Sequence, residues 1–131
     1  MRVFLDTNVL IAAFATRGLC EDVLRTTLSE HDLITGTQVL AEVERVLTDK
    51  LRMPASKTRS ISAFIRQHAE VIEPSAPAAW PGKDPDDQWI VAAATEGNAD
   101  VLVSGDQDLL EIADKVQIAI LSPRGFWESL R

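Results

Sequence analysis

The sequence has little of several features that mark particular classes of protein. Cys20 is the one cysteine in 131 residues, which excludes an internal disulfide framework and is typical of a reducing compartment. No apolar run approaches the roughly 20 residues that a membrane span needs. The N-terminus lacks the basic, long apolar and small-residue segments of a signal peptide. We therefore expect a cytoplasmic protein with no membrane partner.

Basic residues are also scarce, since 13 Lys and Arg stand against 20 Asp and Glu and the net charge is −7. This balance argues against a protein that coats nucleic acid by charge alone, but an enzyme can meet nucleic acid through bound cations. Six of the basic residues fall between Arg45 and Arg66, with Asp49 as the one acid among them. This segment either contacts phosphates or is the solvated face of an amphipathic helix. The candidates for phosphate contact are Arg45, Lys50, Arg52, Lys57 and Arg59.

Short apolar segments alternate with helical patterns along the chain. The predicted strands are RVFLD, HDLITG, EVIEP, ADVLVSGD and VQIAIL. Thr37 is predicted to cap the third helix, whose apolar stripe extends to Leu51, and Asp84 to cap the fifth. The alternation indicates an α/β fold in one domain over residues 1–131. We expect a three-layer sandwich, with a mainly parallel sheet of about five strands and helices on both faces.

Acidic residues gather at the predicted carboxyl ends of the strands, the edge where parallel sheets bind ligands. Asp6 ends the first strand and Asp106 follows the fourth. The acids of residues 84–87 open a helix that begins at the same edge. Glu42 and Glu44 lie on either side of the apolar stripe of the third helix, so helical phase does not choose between them. Glu42 is only closer to the start of that helix.

Each acid also has a simpler interpretation. Asp6, Asp84 and Asp106 would each serve as an ordinary helix cap, and Glu42 as a solvated helix residue. Taken together, clustered carboxylates repel one another unless a cation lies among them. Oxygen ligands without cysteine or histidine suit Mg²⁺ or Mn²⁺ better than Zn²⁺. Trp80, in the loop before the acidic helix, would stack on a base or anchor the loop.

Four segments, FLDTNVLIAAF, LAEVERVL, DPDDQWIVAAA and LVSGDQDLL, resemble the acidic motifs of the PIN domain family in order and spacing. The subgroup they resemble is that of the VapC-like toxins of bacterial toxin–antitoxin systems. The resemblance implies a Mg²⁺- or Mn²⁺-dependent endoribonuclease with RNA as substrate, and it admits an antitoxin protein and a homodimer as partners. It implies that the catalytic and metal-binding acids are Asp6, Glu42, Asp87 and Asp106. It further implies supporting roles for Thr7, Asn8, Ser104, Asp84 and Asp108.

Other families of this size and class match less well. A receiver domain needs an acidic pair after the first strand, and a haloacid-dehalogenase-type phosphatase needs an Asp two residues after its first. Thr7 and Asn8 follow Asp6 here. The alternative that remains is a non-catalytic module of the same fold that binds a metal or a partner. Whether the substrate is RNA or DNA, and whether one ion or two are bound, stays open.

Overall fold

The computed structural model describes residues 1–79 and 84–130. The strands in these ranges are β1 (Arg2–Leu5), β2 (Asp32–Gly36), β3 (Glu70–Ile72), β4 (Val101–Val103) and β5 (Ala119–Leu121). They form one sheet in the order β3-β2-β1-β4-β5, and every neighbouring pair is parallel. The predicted parallel sheet of about five strands is confirmed.

The helices of the described residues are α1 (Thr7–Ala15), α2 (Leu19–Glu30), α3 (Thr37–Asp49), α4 (Ala55–His68), α5 (Pro85–Glu96), α6 (Gln107–Glu111) and α7 (Pro123–Ser129). The chain moves outward from β1 to β3 and then returns to β4 through α5. Because parallel crossovers are right-handed, this reversal places α5 on the opposite sheet face from α1–α4. None of these helices has both the length and the apolar character that crossing a membrane requires.

The central strand explains where a site can form. Val3, Phe4 and Leu5 are fully buried, because β1 has a strand on each side and helices on both faces. The chain leaves β1 toward β2 but leaves β4 toward β5, in the opposite direction. The carboxyl ends of β1 and β4 therefore flank a topological switch point, the place where open α/β sheets form a crevice.

Two local predictions are wrong. Thr37 does not cap α3, because it is the first helical residue and Gly36 precedes it without a side-chain cap. A Cβ on Gly36 would lie 3.0 Å from the Cβ of Ala93, so close packing of β2 against α5 favours glycine at this position. Leu51 lies beyond the end of α3 and is 48% exposed, so it does not belong to the buried stripe.

Arg2 joins the start of β1 to three other elements. Its Nε and Nη2 donate to the carbonyl oxygen of Gly97 at 2.9 and 2.6 Å, at the end of α5. Nη2 also contacts a carboxylate oxygen of Glu70 in β3 at 2.6 Å. The backbone N–H of Arg2 donates to the side chain of Asp100 at 2.8 Å, just before β4. Arg2 therefore connects β1, β3, α5 and the start of β4 at the edge of the sheet opposite the switch point.

We predict that Arg2→Ala lowers the free energy of unfolding by about 1–2 kcal/mol, because charge-assisted hydrogen bonds to partly buried groups are removed. Urea denaturation followed by circular dichroism measures the change. Arg25→Ala is the matched control, since Arg25 forms an exposed ion pair with Glu21 and its removal costs little. Equal destabilisation by both substitutions would contradict the role given to Arg2.

Candidate active site

Asp6 lies at the carboxyl end of β1 and is 2% exposed. Its backbone N–H donates to the carbonyl oxygen of Val103 at 3.0 Å, which continues the pairing of β1 with β4. One carboxylate oxygen accepts from the backbone N–H of Thr7 at 2.7 Å, and the other accepts from the hydroxyl of Ser104, also at 2.7 Å. Asp6 is thus the N-cap of α1, as the simpler interpretation predicts, and is also held from both sides.

Ser104 connects the two strand ends of the switch point. Its hydroxyl donates to Asp6 and accepts from the backbone N–H of Asp106 at 2.9 Å. Asn8 makes a second connection, since its Oδ1 accepts from the backbone N–H of Gly105 at 2.9 Å. A Cβ on Gly105 would come within 3.3 Å of that same oxygen. Two hydrogen-bond bridges therefore hold the loop that carries Asp106 against the start of α1.

The acids of residues 84–87 surround the start of α5. Asp84 caps the helix by accepting from the backbone N–H of Asp86 at 2.9 Å. Asp87, one turn further, is 3% exposed. Asp86 accepts a hydrogen bond from the side chain of Gln38 at 3.2 Å, which ties the start of α5 to the start of α3. The helix start thus presents one buried and two exposed carboxylates.

The structure separates the two glutamates that helical phase left equivalent. Glu42 borders the same cavity as Asp6 and pairs with Arg45, whose Nη2 lies 3.5 Å from its Oε1. Glu44 faces α4 instead, where it accepts a hydrogen bond from the hydroxyl of Ser62 and lies 3.9 Å from Arg66. Of the two, Glu42 is therefore the one placed with the acids of the strand ends.

These side chains enclose a cavity of about 250 Å³ at the switch point. Its polar wall consists of six carboxylates, one hydroxyl and one amide, and its apolar wall consists of aliphatic side chains. No described lining residue is basic. The lining residues are Asp6, Thr7, Asn8, Ile11, Glu42, Val46, Asp84, Asp86, Asp87, Ile90 and Asp106.

Crowding and burial act on the two most enclosed acids. Burial raises the pKa of Asp6, although its hydrogen bonds from Ser104 and Thr7 oppose the shift. Burial also raises the pKa of Asp87 to about 7, with further contributions from the negative charges of Asp106, Asp84, Asp6 and Asp108. Three helix N-termini, those of α1, α5 and α6, begin beside the cavity and favour negative charge there. Their dipoles do not offset the burial of Asp87.

The donor set fits a hard divalent cation. The cavity presents only oxygen donors and one amide, and the buried Oγ1 of Thr7 has no hydrogen-bond partner among the described residues. Such a set suits Mg²⁺ or Mn²⁺. Across residues 1–79 and 84–130, however, no three acidic, histidine or cysteine side chains converge on a single point as a metal site. The carboxylates line one cavity without closing on a shared centre.

The structure does not bring every predicted site residue to the cavity. Asp108 is exposed and contributes its backbone N–H to the carboxylate of Asp106 at 2.9 Å, but its side chain is not part of the lining. Arg45 reaches the cavity through Glu42. Trp80 lies outside the described residues. Four predicted phosphate contacts are exposed and lie apart from the lining, namely Lys50, Arg52, Lys57 and Arg59.

Sequence reasoning missed two kinds of cavity residue. Asp86 is one of three acids at the start of α5, and nothing in such a run shows which of them faces the cavity. Ile11, Val46 and Ile90 form the apolar wall, and their helical positions are typical of ordinary core residues. Only the packing of α1, α3 and α5 around one point reveals them.

Comparison with known proteins agrees with this architecture. The sequence profile of the PIN domain matches residues 2–108 of the chain. No curated protein gives a significant sequence match.

Solved structures of toxin–antitoxin proteins have a similar fold. VapBC2 from Rickettsia felis, bound to a DNA fragment from its promoter, gives a TM-score of 0.67 at 17% identity, covering 93% of this chain and 98% of that chain. A toxin–antitoxin complex from Klebsiella pneumoniae gives 0.66 at 19%, covering 92% and 97%. Mycobacterium tuberculosis VapC20, a sarcin–ricin loop cleaving toxin, gives 0.60 at 16%, covering 83% and 93%. At these identities the likeness shows the fold.

We predict that stability in EDTA falls as the pH rises from about 4 to about 7. In this window the folded protein keeps a proton on Asp87 that the unfolded chain releases, so raising the pH favours unfolding. Asp87→Asn removes this part of the slope and raises the melting temperature at pH 8 by about 5 °C. At pH 4 the melting temperatures of the two proteins differ little.

Differential scanning fluorimetry across this pH range measures both effects. Asp22→Asn, an exposed substitution on α2, is the matched control and follows the wild-type curve. The interpretation fails if Asp87→Asn also follows the wild-type curve throughout.

Proposed function

Because the chain belongs to the PIN domain family, we propose that it is a Mg²⁺- or Mn²⁺-dependent endoribonuclease whose centre is the acidic cavity at the switch point. The proposed ligands are Asp6, Glu42, Asp87 and Asp106. We assign supporting roles to Thr7, Asn8, Ser104, Asp84 and Asp108. We further propose that the protein is the toxin of a toxin–antitoxin pair.

One observation carries this proposal. Asp6 and Asp87 are both almost completely buried in a cavity whose described lining contains no basic side chain. A structural carboxylate would be expected to have a cation close by, or to lie at the surface, because an unpaired buried charge is costly. Here the folded chain holds two such groups with raised pKa values. Binding of a divalent cation would remove the cost and explain why the fold tolerates it.

The chain's own residues would position the reaction. Ser104 and Thr7 fix both oxygens of Asp6, so that the carboxylate cannot rotate away from the cavity. Asn8 and Ser104 hold the loop of Asp106 at a set distance from β1. When bound, a divalent ion would neutralise charge on the phosphodiester and make a water molecule easier to deprotonate. Burial and the neighbouring acids raise the pKa of Asp87, which suits this carboxylate to accept a proton within the cavity.

The residues that line the cavity favour hydrolysis by water without a covalent intermediate. The hydroxyl of Thr7 has no hydrogen-bonded base beside it, and the described lining contains no cysteine or histidine. Ile11, Val46 and Ile90 limit water on one side of the cavity and so strengthen electrostatic interactions inside it. A phosphodiester would enter past Glu42, which is half-buried, and Asp84, which is exposed.

An antitoxin partner is the corresponding proposal for regulation. Several of the similar structures are toxin–antitoxin complexes, which supports a partner protein that holds this chain inactive. An acidic cavity without a described basic residue would accept a basic side chain from such a partner by the same electrostatics that favour a metal ion.

We predict that the purified protein cleaves a mixed-sequence fluorescent RNA in Mn²⁺ and that EDTA abolishes cleavage. Asp87→Asn is expected to reduce the rate by about a hundredfold or more, a loss of about 3 kcal/mol of transition-state stabilisation. Because this variant is expected to be more stable than the wild type, its lower activity cannot be attributed to unfolding. Gel electrophoresis of the RNA measures the rate.

Mn²⁺ titration followed by thermal denaturation tests the site independently. Mn²⁺ is expected to raise the melting temperature of the wild type and of the control Asp22→Asn, and to have a much smaller effect on Asp87→Asn. Stabilisation without cleavage of any RNA would favour a non-catalytic metal-binding module. The proposal is overturned if Mn²⁺ neither stabilises the protein nor supports cleavage.

A further inference from the structure

A second cleft lies on the other side of α3 from the acidic cavity. It occupies about 450 Å³ between α3 and α4. The two helices run antiparallel there, since Glu44 meets Ser62 and Arg66 while the backbone N–H of Met53 donates to the carbonyl oxygen of Leu47 at 2.9 Å near the connecting turn. The cleft combines two guanidinium groups, three hydroxyls and one carboxylate. These groups belong to Arg59 and Arg66, to Thr48, Thr58 and Ser62, and to Glu44.

Arg45 lies on the ridge between the two openings. At 100° per residue, it is about 60° from Glu42 around the helix axis and about 60° from Thr48 in the other direction. Glu42 borders the acidic cavity and Thr48 borders the cleft. The side chain of Arg45 is 54% exposed. A strand that passed from one opening to the other would therefore cross α3 at this residue.

Two of these arginines are held by weak ion pairs that a phosphate could replace. Arg45 lies 3.5 Å from Glu42, and Arg66 lies 3.9 Å from Glu44. The side chains of both arginines are more than half exposed, and ion pairs of this kind contribute little to stability. Guanidinium groups bind phosphate in a bidentate manner, which a single long contact to a carboxylate does not match.

We propose that the nucleic-acid strand leaves the acidic cavity over α3, contacts Arg45 on the ridge, and enters the α3–α4 cleft, where Arg66 and Arg59 bind its phosphates. This inference rests on the proposed nuclease function. On this path, Arg45, Arg59 and Arg66 contact the nucleic-acid strand. The other basic residues of the segment lie near the α3–α4 turn and do not contact it. Arg66 is not among the candidates from sequence, and it is added here because it lines the cleft.

The charge balance of the cleft agrees with an anionic occupant. Arg59 and Arg66 outnumber Glu44, whose carboxylate is already engaged by the hydroxyl of Ser62 and by Arg66. The chain as a whole is strongly acidic, so these positions stand out against the remaining surface. Backbone contacts of this kind position a strand without reading its sequence.

The test is the salt dependence of binding to a fluorescein-labelled single-stranded RNA, measured by anisotropy in Mg²⁺. The parent protein is the full chain with Asp87→Asn, which is expected to slow turnover by about a hundredfold or more. For a single strand, removing one cation that neutralises a phosphate lowers the slope of log Kd against log salt by about 0.7. We expect Arg45→Ala and Arg66→Ala each to lower the slope by that amount and to weaken binding about three- to tenfold. The double variant should lower the slope by about 1.4.

Conservative and remote variants separate charge from folding. Arg66→Lys should retain the slope because the charge is kept, even where binding becomes weaker. Arg25→Ala removes a similar exposed arginine on α2 and should bind as the parent does. Melting temperatures of all variants should stay close to that of the parent. An unchanged slope in both alanine variants overturns the path and favours the cleft as a docking surface for a partner protein.

The two proposals can fail separately. If the wild type cleaves RNA but the arginine variants keep the parent slope, the path is wrong and the nuclease function stands. If the slope falls as expected while the wild type cleaves no RNA in Mn²⁺, the chain binds the strand along this path without hydrolysing it.

Discussion

Asp6 is held by a hydroxyl on one oxygen and a backbone N–H on the other, and these two hydrogen bonds are the constraint from which the rest of the site follows. They permit a carboxylate to end the central strand of the sheet. The hydroxyl belongs to Ser104, which also accepts a hydrogen bond from the backbone N–H of Asp106. One serine thus couples the ends of β1 and β4, and the distance between two acids is set by backbone rather than by long side chains.

Holding these carboxylates close together has a cost, which is the electrostatic repulsion between them. Burial raises the pKa of Asp87, and the negative charges of the neighbouring acids raise it further. Natural proteins keep such unfavourable arrangements where function requires them, and the surrounding fold compensates. Here the compensation comes from the buried apolar core around β1 and β4 and from three helices that begin beside the acids. A preorganised cavity of this kind avoids the cost of gathering carboxylates at the moment a cation arrives.

Much of this arrangement could be predicted from sequence because it depends on local rules. Strand ends and helix starts share one edge of a parallel sheet, so Asp6, Asp87 and Asp106 could be placed together from their positions alone. The choice of Glu42 over Glu44 could not be derived from helical phase, since it depends on which side of α3 packs against α4. The close approach of Gly36 to Ala93, which excludes a capping side chain, is likewise a tertiary contact. The same packing decides which arginines line a cleft.

The hydrogen bond between Ser104 and Asp6 joins positions 98 residues apart, and this separation has a consequence for synthesis. A ribosome releases β1 early, but its partner β4 and the loop of Asp106 emerge only after most of the chain has been made. Folding that depends on such distant pairing is slow compared with helix formation. The incomplete chain therefore carries Asp6 without the groups that orient it. The centre of the proposed nuclease therefore cannot assemble while about the first hundred codons of its own message are being translated.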